Sequence, residues 1–325
     1  MSSNRVTKAI TKQAMSNRRD FLRKVGVGAL SLTAAGVTQS MEGAPGKPQI
    51  QDGVSADPVA QKIELLFLGT GAADWSKKYP PVGKLMGRGE VRGMTSMLVN
   101  GQILIDCGPT VLDVMQRYEV QASEITDILL THTHADHFHK SSILAIANSR
   151  DAALAPLKFW GHPEALKLVP QSNRIETCPV EIGNTVRIHG FDITGLGANH
   201  AVGSSKEECL IYLIEGATKS VLYATDTAWL PTKTWLGLQR VKLDTIIWDA
   251  TVGEKAGDYR IFSHNDLAMI RQMNRSLRKR KVLKPDAKSI LTHMARTLHP
   301  SHEELERKLL PEGLMPAYDG MTVTV

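Results

Sequence analysis

The densest group of chemically competent side chains is Thr131-His132-Thr133-His134-Ala135-Asp136-His137, three imidazoles and a carboxylate within six positions. Imidazole nitrogens and carboxylate oxygens are the donors that divalent transition metals take. An H-x-H-x-D-H run directly after an apolar stretch puts four of them where a strand ends and the backbone turns. Four neighbouring donors do not close a metal centre, so further ligands are expected at later strand ends. Three residues meet that description: His200 after Gly197-Ala198-Asn199, Asp226 after Tyr223-Ala224-Thr225, and His293 after Ser289-Ile290-Leu291-Thr292. His299 and His302 compete for the last place. One sheet edge would then gather His132, His134, Asp136, His137, His200, Asp226 and His293. This donor set suits zinc, with manganese or iron as alternatives.

Such donors need a scaffold, and the chain from Lys62 onward supplies alternating strand and helix patterns. Residues 63–69, 95–100 and 102–106 read as strands, the last two joined at Asn100-Gly101, a hairpin signal. Residues 109–118 read as a helix with proline near its start, 125–131 as a strand and 141–148 as a helix. Strands at 186–189, 192–196, 209–214 and 220–223 follow with no helical pattern between them. Two more, at 243–249 and 289–292, flank a helix whose apolar positions are Leu267, Ile270, Met273 and Leu277. Blocks of this kind predict an α/β fold of two sheets with helices outside, a four-layer αββα sandwich forming one domain over residues 61–325.

The order H-x-H-x-D-H, His, Asp, His resembles the metallo-β-lactamase superfamily, whose fold is that sandwich, from Leu68-Gly69-Thr70-Gly71 to the C-terminus. The resemblance implies two divalent metal ions, one on His132, His134 and His200 and one on Asp136, His137 and His293, with Asp226 bridging them. Two ions about 3.5–4 Å apart lower the pKa of a shared water, so that it attacks as a bridging hydroxide, and stabilise charge on substrate oxygens. A bridging aspartate points to the phosphodiesterases, thioesterases and lactonases of the superfamily and away from its antibiotic hydrolases. Phe67-Leu68-Gly69-Thr70-Gly71-Ala72 and Leu104-Ile105-Asp106-Cys107-Gly108-Pro109 are similar to the ribonuclease Z-like branch. Ser263-His264-Asn265-Asp266-Leu267, Ile290-Leu291-Thr292-His293 and Tyr318-Asp319-Gly320-Met321 look like the cyclic-phosphate phosphodiesterases of the carbon–phosphorus lyase pathway.

That likeness implies hydrolysis of a small phosphodiester, cyclic ones included. It implies that His264 donates a proton to the leaving alkoxide or holds a phosphoryl oxygen, and that Asp136 is ligand and proton acceptor together. Helix capping is the structural alternative for His264. The same centre would serve a lactonase or thioesterase, or a non-catalytic carrier similar to pyrroloquinoline quinone biosynthesis protein B. The pathway enzymes also carry a structural zinc on cysteines after the first glycine turn and on a histidine three positions past the last metal histidine. Here the turn runs into Ala73-Asp74-Trp75-Ser76-Lys77-Lys78 and Arg296 takes the histidine's place, so no structural zinc is expected. In such folds the loop over residues 74–92 lies near the active site. Its Lys77, Lys78, Arg88 and Arg92 read either as phosphate contacts or as a solvated loop.

Composition narrows the rest. With 325 residues, 42% hydrophobic and 22% charged, the chain can bury a sizeable core, which excludes a disordered or fibrous protein. Cys107, Cys178 and Cys209 are too few and too unevenly spaced for a disulfide framework or a zinc ribbon, and read as core thiols. The formal charge of +6 is concentrated at one end, since the first 44 residues hold seven basic and two acidic side chains. Asn17-Arg18-Arg19-Asp20-Phe21-Leu22-Arg23 resembles a twin-arginine signal. The apolar run after it, 25–37, is too short to span about 30 Å of hydrocarbon. Residues 1–40 are therefore expected to be an export signal read by the twin-arginine translocase, 41–60 a linker, and the product periplasmic or extracytoplasmic. Cleavage before Met41 and retention as an anchor both stay open. So little charge remains for the domain that nucleic acid is not an expected partner; a small molecule is, with a homodimer left open. The basic run Arg275-Ser276-Leu277-Arg278-Lys279-Arg280-Lys281 reads as a solvated helix end favoured by the helix dipole.

Overall fold

Along most strands the apolar side chains alternate between two faces, and both faces are buried, so each sheet needs a covering layer on either side. In β1 (Glu64–Gly69), Leu65 and Phe67 join one core while Leu66 and Leu68 join another. The computed structural model describes residues 62–255 and 257–325; the expected export signal and linker lie outside them. One sheet contains β1, β2 (Ser96–Val99), β3 (Ile103–Ile105), β4 (Asp127–Leu129), β5 (Leu157–Gly161), β6 (Ile175–Pro179) and β14 (Met321–Thr324), in the order β14-β1-β2-β3-β4-β5-β6. The other contains β7 (Thr185–Ile188), β8 (Phe191–Gly197), β9 (Leu210–Glu215), β10 (Ser220–Ala224), β11 (Leu243–Asp249), β12 (Leu283–Thr292) and β13 (Leu314–Pro316), in the order β13-β12-β11-β10-β9-β8-β7.

Three apolar clusters fill the spaces between four layers. Phe67, Met97, Ile105, Tyr212, Tyr223, Ile247 and Ile290 pack between the sheets. The outer face of the first sheet packs through Leu104 and Ile128 on Val114 of α1 (Val111–Arg117), Ile143 of α2 (Lys140–Ser149) and Ala165 of α3 (Pro163–Leu166). That of the second packs through Leu222, Ile246 and Trp248 on Leu238 of α4 (Thr232–Leu238), Ile270 of α5 (Leu267–Lys279) and Leu309 of α6 (His302–Leu309). The fold is the αββα sandwich that the strand and helix pattern predicts. Asp266 caps α5 by accepting from the Met269 N–H at 2.7 Å, and Leu267, Ile270, Met273 and Leu277 form its buried face. At its other end Arg278 is not a solvated cation: it donates to the carbonyls of Lys284, Pro285 and Ala287, tying the helix to β12.

The two sheets repeat one pairing scheme. From β14 to β6, and again from β7 to β13, three antiparallel pairings are followed by three parallel ones. The last strand in the chain, β14, thus takes in the first sheet the place that β7 has in the second. Open sheets bind ligands outside the carboxyl ends of their parallel strands. Asp106 follows β3, His132 lies just past β4, Asp226 follows β10, and His293 follows β12.

Candidate metal centre

At those strand ends the backbone is bent into conformations that ordinary residues avoid. Asp106, Asp226 and His293 have φ of 62°, 51° and 57°, the left-handed region that costs a non-glycine residue of order 1 kcal/mol or more. Each turn redirects a polar side chain from the sheet into the space between the two carboxyl edges. Gly108 allows the first loop to close, because a Cβ there would lie 1.9 Å from the Asp136 carbonyl oxygen.

The seven expected donors come together in two sets. His132 Nε2 is 2.9 Å and His200 Nε2 3.1 Å from His134 Nδ1. His137 Nε2 lies 3.3 Å from His293 Nε2 and 3.2 Å from Asp136 Oδ2, and His293 Nε2 lies 3.4 Å from that oxygen. Asp226 stands between the sets, with Oδ2 3.1 Å from His137 Nε2 and 3.3 Å from His293 Nε2, and Oδ1 3.8 Å from His200 Nε2. Donors that share one ion at about 2.0–2.2 Å stand roughly 3 Å apart. These His and Asp clusters are able to hold metal ions.

The surrounding hydrogen bonds choose which ring nitrogen faces inward. Thr131 Oγ1 donates to Asp106 Oδ1 at 2.9 Å and stands 3.0 Å from His132 Nδ1. Thr251 Oγ1 donates to Asp249 Oδ1 at 2.8 Å and stands 2.7 Å from His293 Nδ1. A hydroxyl that gives its proton to a carboxylate accepts one from the imidazole, so both histidines carry hydrogen on Nδ1 and turn a lone pair on Nε2 inward. His137 Nδ1 faces Asp106 Oδ2 at 2.8 Å and His200 Nδ1 faces the Ser263 carbonyl at 3.1 Å, with the same effect. Asp226 Oδ2 is buried, and the ring nitrogens it faces, His137 Nε2 and His293 Nε2, give it a donor only when they carry a proton. A buried carboxylate oxygen without a donor is costly unless a cation meets it.

The charges agree with that need. Burial pushes His132, His134 and His200 below the ordinary imidazole value, which keeps them neutral and able to donate a lone pair. Burial opposes charge on Asp226, yet His293 and His137 outweigh it and hold its pKa well below the carboxylate range. His137 is the exception: burial works against its cation, but Asp226, Asp136 and Asp106 raise it well above the usual value, so a metal at its Nε2 would have to displace a proton. Burial likewise opposes a cation at His264, and Asp249 overcomes it, pushing the pKa up to about 9.

His264 forms a further cluster with Asp226, Asp249 and His293, their donor atoms all within 4.8 Å of one another. Its Nδ1 is 2.8 Å from Asp249 Oδ2 and 3.7 Å from Asp226 Oδ1. It lines a cleft of about 470 Å³ with His134, Asp136, Asp226, Thr251, His293, Asp74, Tyr259 and Arg260. The competing histidines are elsewhere, His299 Nε2 on the Ala250 carbonyl at 2.7 Å and His302 Nδ1 3.1 Å from Arg92 Nη2. Nor do the basic residues of the 74–92 loop line the cleft. Arg92 is buried and donates to Thr70 Oγ1 and the Ala317 carbonyl, Arg88 pairs with Glu306 and lies over the Tyr318 ring, and Lys77 and Lys78 are exposed. Asp74, by contrast, ties that loop to the one after His293, accepting from the backbone N–H groups of Arg296 and Thr297.

Sequence reasoning missed Asp106, Asp249, Thr251 and Glu207, which orient the donors rather than supply them. Glu207 accepts from the backbone N–H and hydroxyl of Thr133 at 2.8 and 2.6 Å, holding the H-x-H segment from a distant loop. A carboxylate closing an apolar strand is a signal for Asp106 and Asp249; nothing local marks Glu207.

A family model described as a beta-lactamase superfamily domain matches residues 102–294. No curated protein sequence matches the chain. Solved structures do. The metallo-beta-lactamase fold protein YhfI from Bacillus subtilis is 16% identical, with 82% of this chain and 100% of that one covered and a TM-score of 0.62. A diphosphatase from the PhnP family is 20% identical over 82% and 98% of the two chains, TM-score 0.62. Zn(2+)-bound PqqB from Methylobacterium extorquens is 16% identical over 81% and 100%, TM-score 0.59. At these identities the likeness is one of fold.

Proposed function

The chain belongs to the beta-lactamase superfamily, and from that premise and its site we propose that it is a binuclear metal-dependent hydrolase of a small phosphodiester. The observation that carries this reading is the pair of donor sets joined by Asp226, with His264, held from behind by the buried Asp249, lining the same cleft. His132, His134 and His200 would hold one divalent ion, Asp136, His137 and His293 the other, and Asp226 both; zinc fits the donors best. When bound, the two ions supply a water of lowered pKa and positive charge for the oxygens of the transition state.

The chain's own residues do the rest. His264, fixed through Nδ1 to Asp249, keeps Nε2 for the substrate and gives its proton to the leaving oxygen, as an alkoxide requires. Asp136, at the cleft wall, takes the proton released by the attacking water. Thr251 and Thr131 hold His293 and His132 in the one tautomer that suits binding. Phosphoryl chemistry is supported by likeness to a diphosphatase of the PhnP family, and zinc by likeness to Zn(2+)-bound PqqB.

Purified protein loaded with zinc or manganese should hydrolyse bis(p-nitrophenyl) phosphate and 2′,3′-cyclic nucleotides in preference to lactones and thioesters. Turnover of the carbon esters alone would replace this reading with a lactonase or thioesterase. No turnover together with a tightly held small molecule would replace it with a carrier. Elemental analysis should find about two ions per chain, falling to one or fewer in His134→Ala; unchanged content would overturn the ligand assignment. The export reading belongs to the same proposal: changing Arg18 and Arg19 to lysine should leave the protein in the cytoplasm.

A further inference from the structure

Among the described residues only three aromatic side chains are exposed, Trp229, Tyr259 and Phe262, and each stands within five positions of Asp226 or His264. Tyr259 is 78% exposed, so its ring adds almost nothing to the core; it carries the Arg260 guanidinium over one face, 5.8 Å from the ring centroid. It opens a 3₁₀ turn, Tyr259–Phe262, that leads straight into His264, and the Arg260 carbonyl accepts from the His264 N–H at 2.8 Å. The turn and the candidate proton donor are therefore one rigid piece.

Tyr259 and Arg260 both line the cleft of the metal-ligand clusters, and among the described residues Arg260 is the one lysine or arginine that does. Its guanidinium is held by Asp258, Nε to Oδ1 at 2.8 Å and Nη2 to Oδ2 at 2.9 Å. That fork fixes the plane of the group, and Nη1 has no protein partner among the described residues. A held guanidinium with a spare donor, lying over one face of a ring whose other face is exposed, matches a ligand that is anionic at one point and flat next to it.

We propose that Tyr259 and Arg260 form a subsite on the leaving-group side of the cleft, the ring stacking on a flat aromatic group such as a nucleobase and Arg260 taking an anionic oxygen beside it. The substrate is then a small phosphodiester with an aryl or nucleoside substituent, cleaved where His264 protonates the oxygen on that side. This rests on the phosphodiesterase reading for the reaction, though not for the binding.

The test is calorimetric titration of zinc-loaded protein with adenosine 5′-monophosphate and with ribose 5-phosphate, which differ by the base. Wild type should bind the nucleotide about tenfold more tightly, as a stacked base allows. Tyr259→Ala should bind the two alike, Tyr259→Trp should restore the preference, and Arg260→Ala should weaken both ligands together. Equal binding of the two by wild type, no binding of either, or a preference that survives Tyr259→Ala would overturn the subsite. Diester turnover is measured in parallel. If it occurs without a base preference, the subsite fails and the function stands; with a Tyr259-dependent preference and no turnover, the subsite stands and the function fails.

Discussion

His264 shows how little distance separates a ligand from a catalyst. It touches the Asp226 carboxylate edge at 3.7 Å, but its 2.8 Å partner is Asp249, which lies outside the expected seven. A histidine so held donates a proton well to an oxygen that leaves poorly and is not needed by one that leaves easily. His264→Ala should therefore lower kcat on a nucleoside 2′,3′-cyclic phosphate by about a hundredfold or more while changing turnover of bis(p-nitrophenyl) phosphate only a few fold. Equal losses on both substrates would assign His264 to holding a phosphoryl oxygen instead.

At the scale of elements, the strand ends do the positioning. Asp106 leaves β3 with a left-handed backbone and receives the Thr131 N–H and hydroxyl, both at 2.9 Å, as well as facing His137 Nδ1. Three partners from one loop hang on one carboxylate. Asp106→Asn keeps the size but gives the amide an N–H where His137 needs an acceptor, so metal affinity should fall about 10–100-fold in a chelator competition assay. Affinity within about threefold of wild type would show that the loop holds its shape without this carboxylate. Gly108→Ala tests the same loop from below, since the added methyl would collide with the Asp136 carbonyl. Metal content should fall in that variant with the other strand ends intact.

On the scale of the whole molecule, the donors come from both sheets. Asp136 and His137 follow a strand of the first, and His200, Asp226 and His293 follow strands of the second. Ions that bind only the folded arrangement stabilise it by mass action. Chelation should then lower the melting temperature, and His134→Ala should show a smaller drop; identical melting curves with and without chelator would contradict a centre that joins the sheets. A second long-range group behaves differently. Asp319, near the C-terminus, accepts from Thr70 Oγ1, Tyr79 OH and the Gly93 N–H. Burial, opposed by the Gly93 and Thr70 hydrogen bonds and by Arg92, pushes it up to about 6. A carboxyl raised on folding contributes stability at low pH and loses it as pH rises through the folded value. Between about pH 5 and 7 wild type should lose about 1 kcal/mol relative to Asp319→Asn in urea denaturation, and a constant difference would place the folded pKa elsewhere.

The seven residues that the fold brings together were legible in the residue order because the side chains a metal would take are few, and these stand past the ends of strands that hydrophobic alternation already marks. The sandwich was legible for the same reason, down to the buried stripe of α5. The edge strands β6, β13 and β14 were not, because an edge leaves one side unpaired and their short runs do not stand out from loops; the interior β5 was missed as well, although it alternates as a strand should. Residue types and their spacing along the chain thus determined what can bind a metal and which layers form. Only the tertiary structure decided that Asp249 holds His264, that Glu207 holds the H-x-H segment, that Arg92 turns inward and that Arg260 faces the cleft. Those choices depend on hydrogen bonds and burial between segments far apart in the chain, and local periodicity carries no record of them.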